Sequence, residues 1–115
     1  MIKRISEHPT QYLDVKFEAK KLGISRLLGE LHVTRPGSPD NEKKIIEIHN
    51  LVREAKLHLY RVLHRYGSDC ENGHTSFVVL VDVAANAVEQ CASFEQAKNL
   101  RRHAKEIRDT VGSNV

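Results

Sequence analysis

One stretch of this chain, from Ser38 to Tyr66, constrains its fold more than any other. Its apolar residues follow one another at alternating intervals of three and four: Ile45, Ile48, Val52, Ala55, Leu59, Val62 and Tyr66. This heptad period keeps one side of a helix against a partner over its whole length. The sequence therefore predicts a long amphipathic helix with other elements packed along its apolar side.

Both ends of this stretch carry residues that begin or end helices. Ser38 can accept hydrogen bonds from the free N–H groups of a first turn, and Pro39 has the φ that a first helical residue needs. At the other end, Gly67 can adopt the left-handed conformation that terminates a helix. We therefore place this helix at residues 38–66.

Three further segments carry a helical pattern. The first begins at Pro9 or Thr10 and keeps an apolar stripe as far as Leu31. The second covers residues 77–92, where heptad spacing coincides with helix-forming alanines, and the third covers residues 94–111. Four helices with short connections favour an all-α fold, an antiparallel up-and-down four-helix bundle.

The remaining residues are expected to be irregular. Residues 1–8 are expected to form an N-terminal arm, and residues 112–115 a frayed tail. Residues 67–74 are rich in turn-forming residues and are predicted to be a loop. A chain of 115 residues is expected to fold as a single helical domain, 1–115.

Two stretches also fit a strand pattern, which leaves an alternative fold open. Apolar and polar residues alternate strictly along residues 12–19, and residues 77–83 are rich in β-branched side chains. If these two stretches paired as strands, the chain would form an α+β domain.

Composition argues against several classes of protein. Two cysteines are too few for a disulfide framework, and the longest apolar run, residues 77–81, is far shorter than a membrane span. Asp69, Cys70, Glu71 and His74 are metal-ligand types, but we interpret them as a polar turn. We therefore expect a cytoplasmic protein without a cofactor, a metal or a membrane contact.

Charge is distributed unevenly along the chain. The net charge is +3, yet residues 67–97 contain no Lys or Arg and five acidic residues. The rest of the chain carries 18 positive and 10 negative charges. Such asymmetry can steer a charged partner, and it also fits a buried segment inside a basic shell.

The last predicted helix carries a row of cations opposite its apolar side. At about 100° per residue they fall within about 120° of one another: Lys98, Arg101, Arg102, Lys105 and Arg108. Such a row could follow the phosphates of a nucleic acid, although no aromatic residues are interleaved for base stacking. Nucleic-acid binding is therefore our first alternative function.

The outer face of the 38–66 helix supports the leading functional hypothesis. This face lies away from the heptad side and groups large apolar residues with basic ones: Ile46, Arg53, Leu57, Tyr60, Arg61 and His64. Protein interfaces favour this mixture. We predict a non-catalytic protein–protein interaction module, such as an adaptor, regulator or inhibitor, that binds a second copy or another protein.

One short motif supports a second alternative. The segment Arg53-Glu-Ala-Lys-Leu-His58 resembles the Arg-four-residues-His motif of HEPN ribonucleases, which are also α-helical bundles. In that family, paired Arg and His side chains from two protomers act on the RNA backbone. This resemblance, which covers six residues, implies that Arg53 and His58 would converge at a dimer cleft.

Overall fold

The computed structural model describes residues 9–66 and 71–113, with side chains for residues 15–64 and 75–111. These residues form four α-helices and no β-strand: α1 (Pro9–His32), α2 (Pro39–Tyr66), α3 (Glu71–Gln90) and α4 (Phe94–Ser113). The predicted all-α helical bundle is confirmed.

The alternative with two paired strands is wrong. Residues 12–19 lie within α1 and residues 77–83 lie within α3. In both helices the apolar stripe continues at helical spacing, so that Phe17, Ile24 and Val81 are all buried. Burial of a continuous helical stripe outweighs the local β-propensity of a short run.

The predicted loop at residues 67–74 is wrong in its second half. The backbone of α3 begins at Glu71 and includes residues 72–74, while residues 67–70 lie outside the described part of the chain. Turn-forming composition overstated the length of this connection, because a first helical turn tolerates polar residues that favour turns elsewhere.

The start of α2 follows the predicted cap. The backbone N–H of Asn41 donates a hydrogen bond to Ser38 Oγ at 3.1 Å, and the N–H of Glu42 donates to the Ser38 carbonyl at 3.0 Å. The described residues of the heptad side are all buried: Ile45, Ile48, Val52, Ala55, Leu59 and Val62. The Tyr66 side chain lies outside the described residues.

Two helical hairpins, α1–α2 and α3–α4, pack side by side to form the bundle. A Cβ on Gly23 would lie 3.1 Å from the Leu51 side chain, so the glycine lets α1 and α2 approach closely. Between the hairpins, α1 lies beside α3 and α2 lies beside α4, whereas the consecutive helices α2 and α3 lie on a diagonal. The apolar sides of all four helices form one core.

The helices that meet between the hairpins run parallel. At one end of α1 and α3, the rings of Phe17 and Phe77 meet edge to face at 5.2 Å. At the other end, Leu31 and Cys91 line one cleft. Residue numbers therefore rise together along the two helices, and they do so along α2 and α4, where Lys56 pairs with Glu106.

Asn41 joins the two hairpins at the end of the bundle. Its side chain is 1% exposed. Its Nδ2 group donates hydrogen bonds to Thr34 Oγ1 at 3.0 Å and to Cys91 Sγ at 3.4 Å, and its Oδ1 accepts one from the Gly37 N–H at 3.4 Å. One amide thus connects the α1–α2 turn to the end of α3.

We expect Asn41→Ala to lower the free energy of unfolding by about 2 kcal/mol, because buried hydrogen-bond partners lose their amide. Asn50→Ala, at an exposed position of the same helix, is the matched control and should change stability by less than about 0.5 kcal/mol. Urea unfolding of both variants measures the difference. Equal stabilities would contradict a structural role for Asn41.

Candidate functional site

The outer face of α2 is exposed to solvent. Five of the six residues predicted there have exposed side chains: Ile46, Arg53, Leu57, Arg61 and His64. We refer to these five residues as the α2 face. Ile46 and Leu57 are 54% and 52% exposed, so the described part of the chain leaves about half of each residue uncovered.

Tyr60, the sixth residue predicted on this face, lies at its edge and packs partly against the core. Its hydroxyl accepts a hydrogen bond from Thr110 Oγ1 of α4 at 3.4 Å, and its ring lies 5.9 Å from the Lys56 ammonium. Tyr60 therefore contributes to the contact between α2 and α4.

Two guanidinium groups flank Leu57 on the α2 face. Arg53 precedes Leu57 by four residues and Arg61 follows it by four, a spacing that places all three on one side of a helix. Neither arginine forms an ion pair or hydrogen bond within the described part of the chain. The carboxylate of Glu54 is instead paired with Lys20 of α1 at 3.4 Å. Among the described residues, nothing therefore competes with an external anion for these two guanidinium groups.

Each aliphatic residue of the α2 face stands at the wall of a shallow cleft. A cleft of about 220 Å³ between α1 and α2 is lined by Lys20, Glu54, Leu57, His58 and Arg61. A second cleft, of about 240 Å³, lies near the start of α4 and is lined by Glu42, Ile45, Ile46, Ser93 and Gln96. The α2 face thus offers a recess beside each of its two apolar side chains.

Arg53 and His58, the residues that resemble the ribonuclease motif, lie on different sides of α2. A separation of five residues turns a helix by about 140° beyond one full turn. His58 is buried, and its ring stacks on Phe17 of α1 at 6.3 Å, whereas Arg53 is exposed. The structure therefore does not bring the two side chains together within one chain.

The basic row on α4 is exposed, but much of its charge is already paired. Arg101 forms an ion pair with Glu89 and Arg108 forms one with Asp82. Lys105 pairs with Asp109 at 2.9 Å. The remaining two cations, Lys98 and Arg102, have no partner in the described part of the chain. The acidic helix α3 thus neutralises two of the five cations that the sequence places in a row.

The structure describes only part of the segment that contains the four potential metal ligands. Asp69 and Cys70 lie outside the described residues, and only the backbone of Glu71 and His74 is described. Among the side chains that the structure does describe, no group of three or more His, Cys, Asp or Glu residues is arranged to hold a metal ion.

Sequence reasoning missed a polar cluster between α2 and α4. Lys56 Nζ donates hydrogen bonds to His103 Nδ1 at 2.8 Å and to Glu106 Oε1 at 2.9 Å. The ring of His49 lies 5.3 Å from that of His103, and the buried Nδ1 atom of His49 has no hydrogen-bond partner among the described residues. The cluster forms because α2 and α4 are parallel neighbours, and no local sequence pattern predicts which helices pack together.

Burial and positive charge keep both histidines neutral. Burial, followed by the positive charge of the neighbouring Lys56 ammonium, lowers the pKa of His103 to about 4. Burial is also the largest cause of the lowered pKa of His49, followed by the charges of Arg53 and Arg102. At neutral pH, His103 Nδ1 is therefore a hydrogen-bond acceptor for Lys56.

No protein-family model matches the chain, and comparisons with curated proteins and with solved structures find no match. None of the described helices is both long enough and apolar enough to cross a membrane. A functional proposal for this chain therefore rests on its own residues and their geometry.

We expect mild acid to destabilise the fold through His103. The unfolded chain binds a proton there near pH 6.5 and the folded chain only near pH 4. Since the unfolded state binds more protons in this window, the free energy of unfolding falls as pH drops from 6.5 to 4, by up to about 1.4 kcal/mol per pH unit.

Urea unfolding at pH 7, 6 and 5 tests this expectation. His103→Gln should reduce the dependence of stability on pH, and Asn50→Ala, which removes no titratable group from an exposed position, should leave it unchanged. Equal pH dependence in the His103→Gln variant and the parent would contradict the role given to His103.

Proposed function

We propose that this protein is a non-catalytic protein–protein interaction module that binds its partner through the α2 face. The observation that supports this most strongly is the exposure of Ile46 and Leu57. They lie on a helix that buries every described residue of its heptad side. Single exposed aliphatic residues are common on protein surfaces. Here two occur on one face, each beside a cleft.

The chemistry of the α2 face suits an interface core. Complete burial of a Leu or Ile side chain contributes about 1.5–3 kcal/mol. Arginine is enriched among the residues whose truncation most weakens interfaces, and Arg53 and Arg61 stand beside Leu57 without partners of their own in the described chain. From Ile46 to His64 the face extends for about 27 Å along the helix.

The separation of Arg53 from His58 supports a binding role over RNA cleavage. The paired state of Arg101, Lys105 and Arg108 likewise supports the α2 face over the α4 row as the principal contact surface. We also propose a cytoplasmic location, which the low cysteine content supports.

The proposal predicts that Ile46→Ser with Leu57→Ser abolishes partner binding, because both apolar anchors are lost. The matched control is Val79→Ser with Val83→Ser, which removes two valines of α3 that are 57% and 48% exposed. Tyr60 is a poorer test position, because its contacts with α4 support the fold.

Affinity purification from the native cell, with quantitative mass spectrometry, compares the parent and both double variants. Ultracentrifugation of the purified proteins measures self-association. We expect the α2 double variant either to recover at least tenfold less of a partner protein than the parent or to lose the parent's self-association. The α3 double variant should match the parent in both measurements. Identical profiles for the parent and the α2 variant would overturn the proposal.

A further inference from the structure

The surroundings of Leu57 carry uncompensated positive charge. The carboxylate of Glu54 on α2 is paired with Lys20 of α1, and that of Glu106 on α4 is paired with Lys56 of α2. Arg53, Arg61 and Arg102 have no ion-pair partner in the described part of the chain. Arg102, on α4, lies near enough to help lower the pKa of His49 on α2. An anionic partner at Leu57 would therefore meet Arg53 and Arg61, whose guanidinium groups have no ion-pair partner in the part of the chain that the structure describes.

This charge argues against a second copy of the chain as the occupant. Docking of the α2 face on the same face of another molecule would place Arg53 and Arg61 of both copies in one interface. The α2 face itself contains no acidic residue, although Glu42 and Glu54 line the clefts beside it. Like charges brought together during desolvation are unfavourable, whereas Arg pairs with a carboxylate through two parallel hydrogen bonds.

The spacing of the apolar residues favours a helical occupant. Ile46 and Leu57 are eleven residues apart, which is three helical turns and about 16 Å. A helix lying along α2 repeats its own side chains at the same interval, so aliphatic residues at i and i+11 could pack against Ile46 and Leu57 together. Carboxylates on its flanks would then face Arg53 and Arg61. Amphipathic helices commonly bind hydrophobic grooves in this way.

Nucleic acid fits the same surface less well. Phosphates would satisfy the guanidinium groups, but a phosphodiester backbone would leave Ile46 and Leu57 without apolar cover. The α2 face carries a single ring, His64, and Tyr60 at its edge packs partly against the core, so successive bases would lack a row of rings on which to stack. Aliphatic anchors together with cations favour a peptide that carries both apolar and acidic side chains.

We propose that the α2 face binds an acidic amphipathic helix of another protein. Its aliphatic side chains pack against Ile46 and Leu57, and its carboxylates pair with Arg53 and Arg61. This inference rests on the proposed function and adds the chemistry of the partner to it.

Three synthetic 18-residue peptides test the inference against the full chain. The acidic peptide carries Leu at positions i, i+4, i+7 and i+11 of one face, with Glu on both flanks and Ala elsewhere. A basic peptide replaces each Glu with Lys, and a polar peptide replaces each Leu with Ser. Fluorescence anisotropy should show at least tenfold tighter binding of the acidic peptide than of either control, and weaker binding at 300 mM than at 50 mM NaCl.

Paired arginine variants locate the contact. Arg53→Gln with Arg61→Gln should weaken binding of the acidic peptide at least tenfold. The control, Arg35→Gln with Lys98→Gln, removes the same amount of charge at exposed positions outside the α2 face. It should change the affinity less than threefold. Equal losses in both double variants would overturn the proposed contact, because net charge alone would then explain binding.

The remaining outcomes separate this inference from the proposed function. Equal binding of the acidic and basic peptides, or no binding of any peptide, would overturn the inference. The proposed function would then be tested separately, by the partner binding and self-association of the variant with Ile46→Ser and Leu57→Ser. A single-stranded RNA oligonucleotide that binds more tightly than the acidic peptide, and requires Arg53 and Arg61, would identify nucleic acid as the occupant and overturn the inference.

Discussion

Burial of the heptad side of α2 is the interaction on which the rest of the structure depends. It places one side of the helix in the core with α1 and α4, and thereby determines which side chains remain outside. Because Ile45, Ile48 and Val52 point into the core, Ile46 and Leu57 on the other side of the helix are left exposed. Packing and the proposed recognition surface are thus two consequences of one periodic pattern.

Much of the fold could be predicted from the sequence, because its strongest signals are local. The Ser38 cap and the apolar seams of α2 and α4 depend only on residues within one helix. The exposed α2 face follows from the same periodicity. The strand alternative was wrong, and so was the loop over residues 71–74, because short β-branched or turn-forming runs say little about the longer helices that contain them.

The parts that could not be predicted all depend on which helices are neighbours. Tyr60 contacts Thr110, and Arg101 is paired with Glu89, through helix pairings that leave no trace in local spacing. The pairing of α2 with α4 also creates the contact between Lys56 and His103. The sequence of α4 alone therefore overstated the number of unpaired cations that the α4 row presents to a partner.

The two-hairpin arrangement has a consequence for the order of folding. Connections of six residues between α1 and α2, and three between α3 and α4, make each hairpin a unit of mostly local contacts, which form quickly. Asn41 and His103 obtain their Cys91 and Lys56 partners only when the hairpins dock. We expect docking to be the later step, since the hydrogen bonds from Asn41 to Cys91 and from Lys56 to His103 form only between correctly aligned hairpins.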